Sequence, residues 1–279
     1  PGAAGAASLD ARVKAAPGIV ALPLPRPPTA GDAPTGSCSI GSAISNVQRY
    51  VLYGLQGNDV FWIKSTPAGT ETFAISGTDG STYLLGDGGD LSGLDGRVEV
   101  VGDLNNLSPA AEQAMQSVDL FFPLPMLLDG ETAYSAVDAL LPGDAVDKTA
   151  KHTAVVDGSA MTTGQTGVVR PDPATPTAGI GVTGLTSGGL ALGGLDNVRI
   201  VLGSGGDDLD VRGTLSPYAD LAGDGALPPS TRLGRTELFT GAGADDVQLD
   251  VVNGRTWVAL EGGNDALRAG TGSAAGLRH

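Results

Sequence analysis

The chain holds one cysteine, two histidines, two tryptophans and four lysines among its 279 residues, and each scarcity removes a class of protein. With Cys38 alone, no disulfide can close within the chain and no thiolate cluster can hold a metal, so a small disulfide-stapled scaffold is excluded. Cys38 lies in the polar stretch Gly36-Ser37-Cys38-Ser39 without a neighbouring histidine, where a thiol is inert. His152 follows Lys151 and His279 is the last residue. Neither has metal-ligand spacing, and His152 reads as a solvated side chain. No nucleophile elbow, phosphate-binding loop or dinucleotide fingerprint occurs. Aromatic residues make up 4% of the chain, so the core must be built from Val, Leu, Ala and Ile, which suits flat stacked β-coils. Trp62 and Trp257 stand in strand-like runs and are expected in core or coil-edge packing. No apolar stretch reaches the roughly 18 residues of a membrane span, so membrane insertion is not expected. Residues 118–128 come nearest and contain Asp119 and two prolines. Nor does Pro1 open a basic and apolar leader.

The scarcity of lysine goes with an excess of acid, 31 Asp and Glu against 16 Lys and Arg, for a net charge of −15. Such a surface repels nucleic acid and anionic lipid, whose recognition rests on clustered cations. It suits divalent cations at oxygen-rich sites, while composition alone favours the plainer reading that the acidity keeps the protein soluble.

Glycine (44) and proline (18) are abundant, but glycine has no period of three, which excludes collagen. Residues 1–46 are rich in Ala, Gly and Pro, with PLPRPP at 23–28, and read as a tether or as a strand cap laid over the first coil. From 47 to 104, short β-type runs alternate with Gly-rich turns, with strands expected at 49–53, 60–63, 70–75, 82–85 and 97–101. A second such module, 196–279, carries strands expected at 198–202, 209–212, 236–240, 247–252 and 256–260. The two modules align as an internal duplication: VLYGLQGNDVFWIKST at 51–66 falls on IVLGSGGDDLDVRGT at 200–214, and Asp59 on Asp207. A Pro- and Gly-rich insertion within 215–235 interrupts the second copy at little cost in loop closure. Between the modules, 105–195 reads as an insertion with short helices and irregular coils. Ser108 caps a helix beginning at Pro109, another is expected at 132–140, and 158–194 is expected to be irregular coil or short coil-edge strands. FFPLPMLL at 121–128 is suited to covering a flank. The second module breaks off after EGGNDALRAG, which predicts continuation in a longer repeat array.

Five Gly-Asp turns punctuate the chain: LQGND at 55–59, GDGGD at 86–90, GSGGD at 203–207, GAGAD at 241–245 and EGGND at 261–265. In such a turn glycines permit a tight reversal that leaves carbonyls free, and the aspartate adds a hard oxygen ligand. After Asp207 the period becomes two, with Leu209 and Val211 facing inward and Asp208 and Asp210 outward. Calcium takes six to eight oxygens, so two turns from neighbouring coils must share an ion. Asp245 and Asp265, 20 residues apart, match roughly one coil. Asp207 and Asp245, or Asp59 and Asp90, require longer coils.

These turns resemble the hemolysin-type, or RTX, calcium-binding repeat, through GSGGDDL at 203–209 and GAGADDV at 241–247, with weaker matches at 57–61, 86–90 and 262–267. The resemblance implies a secreted or surface-exposed parallel β-roll that folds on calcium. It also implies Asp207, Asp245 and Asp265 as carboxylate ligands, with carbonyls from Gly203, Gly205, Gly241 and Gly243. Here the turns stand apart rather than in tandem, and Leu202 and Thr240 replace the leading glycine. The expected fold is therefore all-β, a parallel β-helix or β-roll-like solenoid of longer coils with short helical and irregular insertions. The expected function is non-catalytic: an extracellular or cell-surface calcium-binding module, structural or adhesive, binding other copies or repeats of itself or cell-surface glycans. The competing expectation is a β-helix polysaccharide lyase or hydrolase, with paired carboxylates at Asp208 and Asp210 or Asp246 and Asp250.

Overall fold

The computed structural model describes residues 19–23, 47–54, 58–76, 80–102, 108–116, 151–173, 179–216, 218–219, 231–232 and 234–270. Cys38, the run at 121–128 and the helix expected at 132–140 lie outside them.

The chain enters with β1 (Ile19–Pro23), then runs β2 (Arg49–Tyr53), β3 (Asp59–Ile63), β4 (Glu71–Ile75), β5 (Ser81–Leu85) and β6 (Arg97–Val101). Helix α1 (Pro109–Gln116) precedes β7 (Thr153–Asp157), β8 (Thr166–Pro171), β9 (Ile180–Thr183), β10 (Leu190–Gly193), β11 (Asn197–Val201) and β12 (Asp208–Val211). A two-residue pair, β13 (Tyr218–Ala219) and β14 (Thr231–Arg232), marks the expected insertion. The chain ends in β15 (Arg235–Phe239), β16 (Asp246–Leu249), β17 (Arg255–Ala259) and β18 (Ala266–Ala269). These strands form a ten-stranded sheet, ordered β1-β2-β4-β6-β10-β9-β8-β12-β16-β18, and a six-stranded sheet, ordered β17-β15-β11-β7-β5-β3. From β2 to β6, and again from β10 to β18 with β13 and β14 aside, successive strands alternate between the two sheets. Pairing within both is parallel except at β9, which runs antiparallel to β8 and β10.

All ten strands expected from short β-type runs are present, shifted by three residues at most. Each is short and bounded by turn residues, and β3, β5, β11, β12 and β16 alternate between buried and more exposed positions, the pattern that a half-buried strand requires. Four strands occupy 153–193: β8, β9 and β10 take the strand alternative of the stretch read as irregular coil or short coil-edge strands, and β7 stands in the insertion just before it, where no strand was expected. The Gly and Thr content of that stretch left the choice open: β9 (IGVT) and β10 (LALG) are buried throughout or nearly so and show no alternation.

The apolar core lies between the two sheets. Phe61 and Tyr83 stack there with centroids 4.9 Å apart, among Val, Leu, Ile and Ala. Tyr83 donates its hydroxyl proton to the Val101 carbonyl at 2.9 Å, and burial pushes the phenol far above its ordinary range. In β4 and β6 residues on both faces are buried, Phe73, Ile75 and Val101 included. Helix α1 lies against β2 and buries Ala111 and Ala114. Ser108 begins that helix as expected: its Oγ accepts the Ala111 N–H at 3.0 Å while its hydroxyl donates to Glu99 of β6.

Glu99 is 1% exposed, and burial raises its carboxyl above the ordinary 4.5, with the Ser108 hydroxyl and the Arg97 guanidinium pulling the other way. An acid whose folded value is raised contributes stability that is present below 4.5 and is lost as pH rises through the folded value. Glu99→Gln removes that titration and keeps an acceptor for Ser108. The stability of wild type minus that of Glu99→Gln therefore falls as pH climbs from about 4 to 7 in denaturant titrations; a flat difference overturns the assignment.

Two side chains depart from expectation. His152 is 4% exposed rather than solvated, and its backbone N–H donates to Asp196 Oδ2 at 2.8 Å. Trp62 and Trp257 are 55% and 59% exposed rather than packed. Both stand at outward positions of the six-stranded sheet, Trp62 between inward Phe61 and Ile63.

Candidate functional site

Where the chain leaves the six-stranded sheet for the ten-stranded one, it turns through corners that lie against one another. Four of the five Gly-Asp turns are such corners: 86–90 after β5, 203–207 between β11 and β12, 241–245 between β15 and β16, and 261–265 between β17 and β18. The corner at 158–165, between β7 and β8, lies among them without a Gly-Asp turn. Backbone hydrogen bonds join consecutive corners: Ala160 N–H to Gly89 O, Ser204 N–H to Met161 O, Ala242 N–H to Gly203 O, and Gly262 N–H to Gly241 O. Asp59 is different, because its turn leads from β2 to β3 and so from the ten-stranded sheet to the six-stranded one. The aligned modules thus use their matching turns on opposite crossings. Asp59 and Asp90 are not brought together: Asp59 pairs in register with Ser81, while Asp90 Oδ1 accepts the Ser92 N–H at 2.8 Å in an exposed turn.

The last three aspartates form a column. Asp265 Oδ1 accepts the Asp245 N–H at 3.1 Å, Asp245 Oδ1 accepts the Asp207 N–H at 2.9 Å, and Asp207 Oδ1 accepts the Gln165 N–H at 2.7 Å. Each aspartate immediately precedes a strand of the ten-stranded sheet, and parallel pairing of those strands fixes the spacing. The 38 residues between Asp207 and Asp245 span one crossing and back, lengthened by the insertion, just as the 20 between Asp245 and Asp265 do without it. Asp207 and Asp245 are each 2% exposed.

The second oxygens differ. Asp245 Oδ2 accepts the Thr240 hydroxyl at 2.6 Å. At the matching position of the preceding winding stands Leu202, and Asp207 Oδ2 is buried without a hydrogen-bond partner. Burial raises the Asp207 carboxyl above its ordinary value; the Gln165 amide opposes this and the Asp245 charge adds to it. Sequence reasoning counted Thr240 and Leu202 only as replacements of a glycine and missed Gln165. The spacing of Thr240 five residues before Asp245 was the signal for the first, and Gln165, at a corner without a Gly-Asp turn, left none.

The glycines also serve differently from expectation. Gly241 and Gly243 have φ of 78° and 154°, but Gly203 and Gly205 are not in the left-handed region. A Cβ on Gly203 would lie 1.8 Å from Met161 O, and one on Gly205 2.1 Å from Gly164 N. These two positions are glycine because the corners touch backbone to backbone. The carbonyls of Gly203 and Gly241 each accept a neighbouring amide at 3.0 and 3.1 Å, which leaves one lone pair apiece.

The acids considered for catalysis lie on the outer face of the ten-stranded sheet. Asp208 pairs in register with Asp246, Asp210 accepts Arg212 Nε at 2.7 Å, and Asp246 lies 2.7 Å from Arg268 Nη1. Among the described residues no three His, Cys, Asp or Glu side chains converge as a metal cage. A cation at the column would therefore draw on carboxylate oxygens together with backbone carbonyls. Comparison with known proteins returns no matching family model, no matching curated protein and no matching solved structure.

Proposed function

We propose that the chain is a non-catalytic, extracellular or cell-surface module, structural or adhesive, in which parallel β-coils stack as a solenoid and calcium rigidifies the Gly-Asp corners. The column Gln165–Asp207–Asp245–Asp265 is the observation that carries this reading. Its donors are hard oxygens, it concentrates buried carboxylates of one sign, and Asp207 Oδ2 lacks a partner. A buried charge left uncompensated is costly, and a divalent cation offsets it. Asp207, Asp245 and Asp265, with carbonyls of Gly203, Gly205, Gly241 and Gly243, are the residues that would hold the ion. When bound it supplies charge neutralisation and ties one winding to the next. Other copies or repeats of the chain, and cell-surface glycans, are the partners this role implies. The rival lyase or hydrolase reading is disfavoured because one acid of each candidate pair, Asp210 and Asp246, sits ion-paired on a sheet face, whereas glycosidic cleavage needs carboxylates across a cleft with one pKa raised.

Melting in chelator and in millimolar calcium tests the reading. A ligand at about 100 times its Kd adds about 2.7 kcal/mol to the folded state, which for a chain of this size is a rise of about 5–10 °C. Identical melting overturns the calcium role. Release of reducing ends from an oligosaccharide panel overturns the non-catalytic one.

A further inference from the structure

The outer face of the six-stranded sheet is not used by the corner column, and its pairing register arranges it in rows. One row crosses all six strands: Trp62, Leu84, Val155, Arg199, Glu237 and Trp257. Strands lie about 4.8 Å apart, so the row extends about 24 Å from one tryptophan to the other. The chain's only two tryptophans thus stand at the two ends of one line, both more than half exposed. Val60, 63% exposed, lies beside Trp62. Packing alone places large aromatics inside, and an exposed apolar face of this kind marks a contact surface.

The row is preorganised. Trp62 Nε1 donates to the Gly86 carbonyl at 2.9 Å and the Lys64 ammonium lies 4.0 Å from its ring centroid. Between the tryptophans, Glu237 is paired with Arg235 and lies 3.8 Å from Arg199, whose guanidinium lies 4.4 Å over the Phe239 ring. Side chains fixed in this way lose little freedom on binding.

We propose that this row is a platform for a neutral, β-linked polysaccharide lying across the strands, with pyranose faces stacked on Trp62 and Trp257. A pyranose with equatorial substituents shows a face of C–H bonds, which matches the flat apolar face of an indole. Its ring edge carries hydroxyls, and the row meets them with the half-exposed, donor-only guanidinium of Arg199, which the buried Glu237 carboxylate holds in place. Charge selects a neutral chain. A protein of net charge −15 repels a polyanion at long range, and Lys64 is already paired with Asp87 at 3.0 Å, as Arg199 and Arg235 are with Glu237. The distance selects a polymer, because a short sugar reaches one tryptophan and a longer one engages both.

Tryptophan emission reads this face alone, since no tryptophan lies elsewhere. The full chain in calcium is titrated with cello-oligosaccharides and chito-oligosaccharides of increasing length, and with a polyuronate for comparison. The expected results are a blue shift, protection from acrylamide quenching, and affinity that rises with length until both tryptophans are spanned. By calorimetry, Trp62→Ala and Trp257→Ala each weaken binding about tenfold, the double variant abolishes it, and tyrosine at either position retains most of it. Unchanged emission and quenching across the neutral glycans overturn the proposal, as do full binding by the double variant and preference for the polyuronate. Should the alanine variants lose their sheet circular dichroism, acrylamide protection of the wild-type chain decides. Because the readout is binding at the sheet face, failure here leaves the calcium reading of the corners untouched, and loss of calcium-dependent melting leaves this one untouched.

Discussion

Asp245→Ala lowers the melting temperature by about 6–12 °C. The side chain sits at the middle of the column and serves two buried donors, the Asp207 N–H at 2.9 Å and the Thr240 hydroxyl at 2.6 Å. Truncation leaves the Asp207 N–H without an acceptor and the Thr240 hydroxyl with only the Leu260 carbonyl at 3.4 Å, where water does not reach, since Asp207 and Thr240 are 2% and 0% exposed. An orphaned buried group costs about 1–3 kcal/mol, and the two losses together cost about 3 kcal/mol, at about 2–4 °C per kcal/mol in a chain of this length. Asp245→Asn keeps the oxygen that accepts the Asp207 amide and allows the Thr240 hydroxyl to rotate and accept, so it recovers more than half of the loss. Asp208→Ala, one residue past the column on an exposed position, stays within about 0.5 kcal/mol of wild type. Thermal melts of the three variants in chelator isolate the hydrogen bonds from any cation. If Asp245→Ala melts like Asp208→Ala there, the column does not hold the corners together.

The column also shows which parts of this architecture were legible in the chain. Short runs such as RYVLY and RVEVV carry β-branched and aromatic residues and end at a glycine, and the same local preferences that mark them as strands also form them. The stacking of Asp245 on Asp265 was legible because parallel pairing in register turns a repeat in sequence into a repeat in space. The crossing on which each turn sits was not legible. GND at 57–59 and GGD at 205–207 look alike, yet Asp59 begins a strand of the six-stranded sheet and Asp207 precedes one of the ten-stranded sheet. Nothing local distinguishes the two crossings, since the side a turn falls on depends on how many strands precede it. The position of β1 was not legible for a related reason: a strand cap over the first coil was one reading of residues 1–46, but IVALP lies within a Pro- and Gly-rich stretch, and its parallel pairing with β2 is a long-range contact. The exposure of Trp62 and Trp257 runs against the ordinary burial of large rings. Period two does place each of them opposite its inward neighbours, so the alternation was the better guide and residue type the worse.

Gly203→Ala destabilises the fold by about 3 kcal/mol or more, whereas Gly262→Ala is neutral or adds about 0.4–1 kcal/mol. The two glycines lie in the same corner stack, at 203–207 and 261–265 with the 241–245 corner between them, and residue preference in turns treats them alike. Their surroundings differ. At Gly203 an added Cβ would lie 1.8 Å from Met161 O and 2.8 Å from Met161 C, backbone atoms that cannot swing aside, while at Gly262 nothing lies within 4 Å. Neither residue is in the left-handed region, so the contrast is one of space and not of backbone conformation. Relief at Gly203 requires the corners to part, which stretches Ser204 N–H to Met161 O and Ala242 N–H to Gly203 O, both near 3 Å, and draws Asp207 away from Gln165. Gly241→Ala adds conformational strain to the same clash, since its φ is 78° and its Cβ would meet Gly203 O at 1.9 Å, and it is at least as damaging as Gly203→Ala. Denaturant midpoints of the three variants at fixed calcium check the order. Equal midpoints for Gly203→Ala and Gly262→Ala mean that glycine is present only to make a turn. The close approach that presses carboxylates and carbonyls of adjacent windings together then has no basis in these residues, and a shared cation loses its geometric support.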